Sequence, residues 1–382
     1  MKRIGICCMG LLLVLTSCAP SFNKQPDEVI EENQDETGEQ ETAIIPSYNI
    51  SDQEYRVMVP YKIGKARGVI VNQVANRLDI DELEEGLRRH SKEAFDPDQY
   101  YFQEGQYITE DIAYDWLERY EVDKEELGLN PEIEDPSDVE QQRENPKYLS
   151  HVLEQNYLVK TNDNFVELGG VSIGIALKST YRFQTEIGGP YFYEEIPNDT
   201  MLEKGNEIAE EVLERTRSIE GLSEVPILIA LYREASQDSL TPGSFVAKAL
   251  VDAKSSNIDG WETVNEEYIL FPSSAAKEKY PDISANLNDF EQDIANFFPN
   301  YVSVIGEGFY VNEQLQKLTL EIPIIFYGKA EVIGFTQYVY GLVKEGFQNH
   351  YDLEINITSN DKQEALITRE AGEDDLNVHV YN

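Results

Sequence analysis

The residue best suited to covalent chemistry in this sequence is Cys18, which closes a basic and then apolar N-terminal segment. Lys2 and Arg3 carry the charge, and the stretch from Ile4 to Ser17 is apolar and ends in small side chains. A permanent transmembrane helix needs about 20 residues, so this stretch is too short to be one. Its length and flanks are typical of a secretory signal peptide, which we place at residues 1–17.

The four residues Leu15-Thr16-Ser17-Cys18 resemble the lipobox of bacterial lipoproteins. In that motif signal peptidase II cuts between the positions of Ser17 and Cys18, after prolipoprotein diacylglyceryl transferase has acylated the cysteine. Two acyl chains anchor a protein stably, whereas one binds only marginally. We therefore expect Cys18 to hold the protein on the outer face of the cytoplasmic membrane, with this lipid and no other cofactor. The alternative is an ordinary signal peptide with a chance cysteine.

A second candidate nucleophile is Ser172, in the sequence Gly170-Val171-Ser172-Ile173-Gly174. This matches G-x-S-x-G, the nucleophile elbow, which requires a strand before the serine and a helix after it. Apolar residues alternate with small ones here and continue beyond the motif, so we predict that Ser172 lies on a strand face. Hydrolysis by Ser172, with a downstream histidine, remains the alternative, and no catalytic residue is assigned.

Metal and ligand signals are weaker. The histidines have no metal-ligand spacing, and every cysteine lies within the first 18 positions, so we predict no metal site. Tyrosine suits binding surfaces and sheet packing alike. Aromatic clusters could therefore line a solute- or glycan-binding groove, or simply pack. The histidines are His90, His151, His350 and His379, and the clusters are Tyr100-Tyr101-Phe102, Tyr191-Phe192-Tyr193 and the pair Tyr338 and Tyr340.

The net charge of −41 limits the partners of this chain. It arises from 72 acidic and 31 basic residues. A field of this sign repels phosphate backbones and anionic headgroups, so nucleic acid is excluded as a predicted partner.

The sequence pattern of the helices and strands that must position these residues predicts an α+β protein. Residues 18–52 are acidic, with little to bury, and are expected to form a flexible tether. Residues 53–136 favour a helix-rich segment, with Asp79 and Thr109 as helix N-caps. Residues 137–260 and 261–382 each predict the order α-β-β-α-β-β, which indicates two similar units with antiparallel sheets.

Four segments of the body resemble those of a known protein family. Residues 76–87, 95–107, 128–131 and 169–174 are similar to the CamS sex-pheromone lipoproteins of Gram-positive bacteria. This resemblance implies a body without an assigned enzymatic role. It also implies that the discarded signal peptide is trimmed to a short hydrophobic peptide that promotes plasmid conjugation, through a peptide receptor on plasmid-bearing cells. The corresponding peptide here is Leu11, Leu12, Leu13, Val14, Leu15, Thr16 and Ser17.

Overall fold

The computed structural model describes residues 27–32, 40–51, 54–74, 76–121, 127–161, 164–298, 300–301, 303–360 and 362–382. Its helices are α1 Arg67–Gln73, α2 Arg77–Ser91, α3 Glu110–Leu117, α4 Val139–Glu144, α5 Asn198–Ser218, α6 Ser274–Lys279, α7 Pro281–Phe297 and α8 Lys329–Gly346. Within the described ranges, none of these helices combines the length and the apolarity that crossing a membrane requires.

The strands follow the same chain order. They are β1 Asp27–Glu32, β2 Gln40–Ile45, β3 Arg56–Val57, β4 Tyr101–Glu104, β5 Leu149–Lys160, β6 Phe165–Leu177, β7 Thr180–Phe183, β8 Phe192–Glu195, β9 Ile227–Arg233, β10 Ser244–Val251, β11 Glu262–Thr263, β12 Glu266–Phe271, β13 Ile305–Val311, β14 Gln314–Pro323, β15 Asp352–Ser359, β16 Lys362–Arg369 and β17 Asn377–Val380.

The strands form two large sheets, which we call the first and the second sheet. The first has nine strands, in the order β11-β10-β9-β6-β5-β4-β3, with β1 beside β6 and β2 beside β1. The second has six strands, in the order β12-β13-β14-β15-β16-β17, and β7 and β8 form a separate hairpin. This confirms the α+β class.

The two predicted units share the order α-β-β-α-β-β, as α4-β5-β6-α5-β9-β10 and α7-β13-β14-α8-β15-β16, except that the first unit inserts the β7–β8 hairpin between β6 and α5. Their sheets are mixed and not purely antiparallel, because β6 pairs parallel to β9 and β14 pairs parallel to β15. Parallel neighbours need a long crossover, and the helices α5 and α8 provide it. Each helix packs its apolar face on its own sheet, as with Val212 and Leu213 on the first and Phe335 and Val339 on the second.

The N-terminal acidic segment differs from the predicted tether. Strands β1 and β2 pair with each other, and β1 also pairs with β6 at Phe165 and Val166. Strand β9 joins β6 only from Val171 onward, so the start of β6 has a free edge that β1 occupies. Val29 and Ile45 are buried there. The tether prediction is therefore wrong for 27–32 and 40–45, because a sheet edge elsewhere in the chain provides the burial that the segment lacks alone.

The boundary predicted at 136 and 137 falls inside one sheet, since β4 pairs with β5. Asn130 ties the intervening loop to the core, because its side-chain amide donates to the carbonyls of Leu117 and Leu149. The change from the first sheet to the second comes between β11 and β12, close to the boundary predicted at 260 and 261.

One of the two predicted helix caps is correct. Thr109 caps α3, as predicted, by accepting a hydrogen bond from the backbone N–H of Ile112. Helix α2 begins earlier than predicted, and Asn76 caps it in place of Asp79.

Candidate functional site

Two of the predicted site regions lie outside the described residues. These are the candidate peptide, Leu11–Ser17, and the lipidation and cleavage site at Ser17 and Cys18. Their processing therefore remains a prediction from the sequence.

Ser172 lies in the middle of β6, as predicted, and its side chain is completely buried. Its Oγ is 2.7 Å from the Oγ of Ser91, on α2. The strand continues to Leu177, so the turn into a helix that defines a nucleophile elbow is not formed here.

The G-x-S-x-G pattern instead provides a surface of small side chains for α2 and the turn after it. A Cβ atom at Gly170 would lie 2.1 Å from the ring of Phe95, and one at Gly174 would lie 3.2 Å from both Leu83 and Leu87. Larger residues at these positions would push the helix away from the sheet. The spacing therefore reflects close helix-to-sheet packing.

The aromatic clusters do not form a common groove. In the first cluster, Tyr101 and Phe102 are buried in β4. In the second, Tyr191 and Tyr193 are about half exposed beside the β7–β8 hairpin, and Arg182 stacks on Tyr191 at 4.2 Å. In the third, the Tyr338 hydroxyl donates to the carbonyl of Asp293.

The histidines are likewise separate from one another. His350 and His379 are exposed and stack against neighbouring tyrosine rings. His90 contacts Glu266 at the junction of the two sheets, and His151 is buried beside a cavity. Within the described ranges, no cluster of three or more His, Cys, Asp or Glu residues is arranged to hold a metal ion.

The strongest candidate site is this cavity, of about 300 Å³, which lies between the helices α1 and α2 and the strands β3 to β5. We call it the α1–α2 cavity. Its walls are largely apolar, and several ionisable side chains line it as well. The apolar residues include Ile70, Phe102, Ile108, Val152 and Leu153, the tyrosines are Tyr55 and Tyr61, and the charged or imidazole side chains are Glu54, Arg67, Glu84, Arg88, Glu104, His151 and Glu154.

Two of the cavity's carboxylates are saturated by the protein. Glu154 accepts hydrogen bonds from the backbone N–H groups of Gln106, Tyr107 and Ile108, at 2.9, 3.0 and 2.6 Å. Burial raises the pKa of Glu154 above its ordinary value, although these amides favour the charged form. Glu104 accepts from the Tyr61 hydroxyl, the Gly64 amide and Arg67. Both acids therefore fix the loops around the cavity.

His151 differs from these two carboxylates in its hydrogen bonding. Its side chain is fully buried on β5, and its Nδ1 has no hydrogen-bond partner in the described part of the chain. Burial lowers the pKa of His151 to about 3, so the imidazole is neutral at physiological pH. A neutral imidazole has one donor and one acceptor nitrogen.

Among the remaining charged groups, Glu84 and Arg88 have only long ion-pair contacts. Glu84 and Arg88 are four residues apart on α2 and so share one face of the helix. A guanidinium nitrogen of Arg67 lies 3.8 Å from the Glu84 carboxylate, and Arg88 lies 3.9 Å from Glu54. These distances exceed those of direct hydrogen bonds. Arg88 also stacks over Phe102, at 5.4 Å.

A second ionic cluster, which we call the junction cluster, joins α2 to the second sheet. Arg89 donates to Glu82 at 2.7 Å and to Glu266 at 3.1 Å, and the Tyr268 hydroxyl donates to Glu82 at 2.5 Å. His90 lies 3.2 Å from Glu266. These groups face one another and not a cavity, so the cluster serves to join the two sheets.

Sequence reasoning did not identify the α1–α2 cavity. The spacing of Glu84 and Arg88 on a predicted helix was the one signal for it. The positions of His151 and Glu104 beside them depend on the pairing of β4 with β5, which the local sequence pattern does not specify.

Comparison with known proteins places this structure in a family. The family model described as CamS sex pheromone cAM373 precursor matches residues 61–375. A sex pheromone precursor from Lactobacillus salivarius subsp. salivarius UCC118 is similar, with 30% sequence identity and a TM-score of 0.81, over 88% of this chain and 98% of that one.

A second similar structure is the C-terminal domain of the sex pheromone staph-cAM373 precursor from Staphylococcus aureus. It has 30% identity and a TM-score of 0.71, over 81% of this chain and 99% of that domain. No curated protein sequence matches the chain. The family match covers most of the body, and both structures share its fold, so this chain belongs to the CamS sex pheromone cAM373 precursor family.

Proposed function

We propose that this protein is an exported, lipid-anchored precursor whose signal peptide yields a short hydrophobic peptide that promotes plasmid conjugation. The observation that carries the proposal is the family match over residues 61–375, combined with Leu15-Thr16-Ser17-Cys18 upstream of it. Cleavage before Cys18 would leave the diacylglyceryl anchor on the body. Further trimming would release Leu11–Ser17 to a receptor on plasmid-bearing cells.

The position at which β1 begins limits the distance between an anchored body and the membrane. Fully extended, the chain from Cys18 to Asp27 spans at most about 30 Å. Lipid on Cys18 would therefore hold the first sheet close to the membrane, nearer than a flexible tether through residue 52 would allow.

Maturation can be tested by replacing Cys18 with alanine and, separately, by treating cells with globomycin, which inhibits signal peptidase II. Each should leave unprocessed precursor and block incorporation of labelled palmitate. Cys8→Ala is the matched control, because this cysteine lies inside the apolar stretch and should be removed with it. Normal processing and labelling of the Cys18→Ala protein would contradict the lipoprotein assignment.

Signalling can be tested independently with synthetic Leu11–Ser17 peptide. We expect it to raise the conjugation frequency of plasmid-bearing donors, and a Leu13→Ala peptide to be weaker. Each buried methylene contributes about 0.8 kcal/mol, and this substitution removes three carbons. If every donor strain is unresponsive at saturating peptide, the pheromone proposal fails while the lipoprotein proposal stands.

The α1–α2 cavity favours a second function for the body, the binding of a small solute. An apolar cavity with a few convergent polar groups is the usual form of such a site. Ser172, by contrast, is buried under α2 and is not part of this cavity. The structure therefore favours solute binding over a hydrolase based on Ser172.

A further inference from the structure

We propose that the α1–α2 cavity binds a small apolar zwitterion, an apolar amino acid or its dipeptide, with its carboxylate at Arg88 and its ammonium at Glu84. This inference rests on the proposed binding of a small solute by the body and names the class of that solute. It is independent of the proposed processing of the signal peptide.

The size and walls of the cavity set the first limit on the ligand. A volume of about 300 Å³ lies at the small end of the range for small-molecule sites. Ile70 from α1, Ile108 from the loop after β4 and Val152 from β5 contribute aliphatic wall. The rings of Tyr55, Tyr61 and Phe102 also line the cavity. An apolar side chain of leucine or phenylalanine size fits this lining, because burying it removes apolar surface from water.

The charges at the cavity set the second limit. Glu104 and Glu154 already have their hydrogen bonds from the protein, whereas Glu84 and Arg88 have ion-pair contacts no shorter than 3.8 Å. A guanidinium binds a carboxylate with two parallel hydrogen bonds, and a carboxylate accepts from an ammonium group. Because Glu84 and Arg88 lie one helical turn apart, they can bind the two ends of one short zwitterion.

His151 is a further polar group at the cavity wall. It is a buried, neutral imidazole whose Nδ1 is unpartnered in the described part of the chain, at a cost of about 1 to 3 kcal/mol. Because Nδ1 has almost no exposed surface, a ligand amide or carboxylate reaches it only if the cavity wall moves. The assignment of the ligand therefore rests on Glu84 and Arg88.

The same features disfavour other ligand classes. The cavity is lined by four glutamates against two arginines, which opposes a phosphorylated polyanion. The charged groups of both signs that line the cavity, which outnumber its aromatic rings, distinguish the site from an aromatic platform for sugars.

The experiment is isothermal titration calorimetry on the full chain, solubilised in detergent, with L-leucine and Leu-Leu as separate probes. Saturable binding of one or both is expected, and their relative affinities identify the amino acid or the dipeptide as the better ligand. Leucinamide lacks the carboxylate and 4-methylpentanoate lacks the ammonium group. Each should bind at least about tenfold more weakly, which is the loss expected for one charged hydrogen-bonding group.

Single substitutions test whether the ligand binds at Arg88 and Glu84. Arg88→Gln and Glu84→Gln should each weaken leucine or Leu-Leu binding about tenfold or more, because each removes one charged contact. The matched controls are Arg77→Gln and Glu85→Gln, which change exposed residues of the same helix and should leave affinity unchanged. Thermal unfolding of each variant verifies that it is folded.

Three outcomes would overturn the proposal. The first is that neither L-leucine nor Leu-Leu binds at millimolar concentration. The second is that leucinamide and 4-methylpentanoate bind as tightly as leucine. The third is that the control variants lose as much affinity as Arg88→Gln and Glu84→Gln. None of these results depends on Cys18 or on peptide release, so they leave the lipoprotein and pheromone proposals unaffected. Saturable binding of a different solute at the same cavity would overturn the zwitterion and leave solute binding by the body in place.

Discussion

The two units of this protein have the same order of elements, but their sheets are covered differently. In the first, every residue of β9 from Ile227 to Tyr232 is buried. In the second, β15 alternates, with Leu353, Ile355 and Ile357 buried and the residues between them only partly covered. The first sheet is therefore packed on both faces, and the second mainly on one.

The extra cover on the first sheet comes from the segment that precedes the unit. Helices α1 and α2 pack on the face opposite α5, where Leu83 and Leu87 meet Ala176 and Phe245. The α1–α2 cavity lies under this added layer. The comparison shows that the shared topology supplies the core of each unit, while the added helices provide the candidate site.

The largest loss of stability is expected from breaking the junction cluster, which joins α2 to the second sheet. Arg89→Ala would remove the guanidinium that pairs with both Glu82 and Glu266, whose side chains are only 8% and 3% exposed. Glu82 would keep only the Tyr268 hydroxyl, and Glu266 only His90. Removing one partner of a buried ion pair is strongly destabilising, and we expect a loss of about 3 kcal/mol in the free energy of unfolding. Urea denaturation measures it. Arg77→Ala, on the exposed side of α2, is the control and should change little.

The next largest effect concerns the covered face of the first sheet. Gly170→Ala places a Cβ atom 2.1 Å from the buried ring of Phe95, which must then move. We expect a loss of about 2 kcal/mol, from overpacking. Gly174→Ala, with contacts at 3.2 Å, should cost about 1 kcal/mol. Equal stabilities of the two variants and the wild type would show that α2 is not closely packed on β6.

A pH experiment sharpens the role of the junction cluster. Burial opposes ionisation of Glu266, but the close contact with His90 and the charge of Arg89 outweigh it and lower the pKa of Glu266 below the ordinary 4.5. A lowered pKa in the folded state contributes stability above the ordinary value, and this is lost as the pH falls through the folded value. Glu266→Gln should therefore cost about 1.5 kcal/mol at neutral pH.

This stability gap between wild type and Glu266→Gln should narrow as the pH falls below 4.5. The comparison with the variant is needed because burial raises the pKa of Glu82, whose contribution changes in the opposite direction. A gap that does not change with pH would contradict an ionised Glu266 in the cluster.

The smallest effect is expected in the second unit, on the exposed side of α8. A Cβ atom at Gly334 meets nothing within 4 Å. Gly334→Ala should therefore stabilise the protein by about 0.5 to 1 kcal/mol, because alanine loses less backbone freedom on forming a helix. Thermal unfolding should show a higher midpoint, in contrast to Gly170→Ala. A lower midpoint would mean that this face of α8 is covered.

The sequence by itself determined the local features of this protein. Alternating residues around Ser172 correctly predicted a strand, Thr109 correctly predicted a helix cap, and the helix and strand periods predicted both units. The family followed from short motifs. These succeed because each depends on residues within a few positions of one another, where backbone geometry fixes which side chains share a face.

Only the tertiary structure decided which distant segments meet. The sequence predicted Asp79 as a helix cap, yet its carboxylate accepts from the Tyr232 hydroxyl and the backbone of Gly243. The acidic strand β1 is ordered by the free edge of β6, and His151 is neutral because the fold buries its side chain completely. In each case the partner is remote in sequence, and burial against it changes the energy of the hydrogen bond or charge.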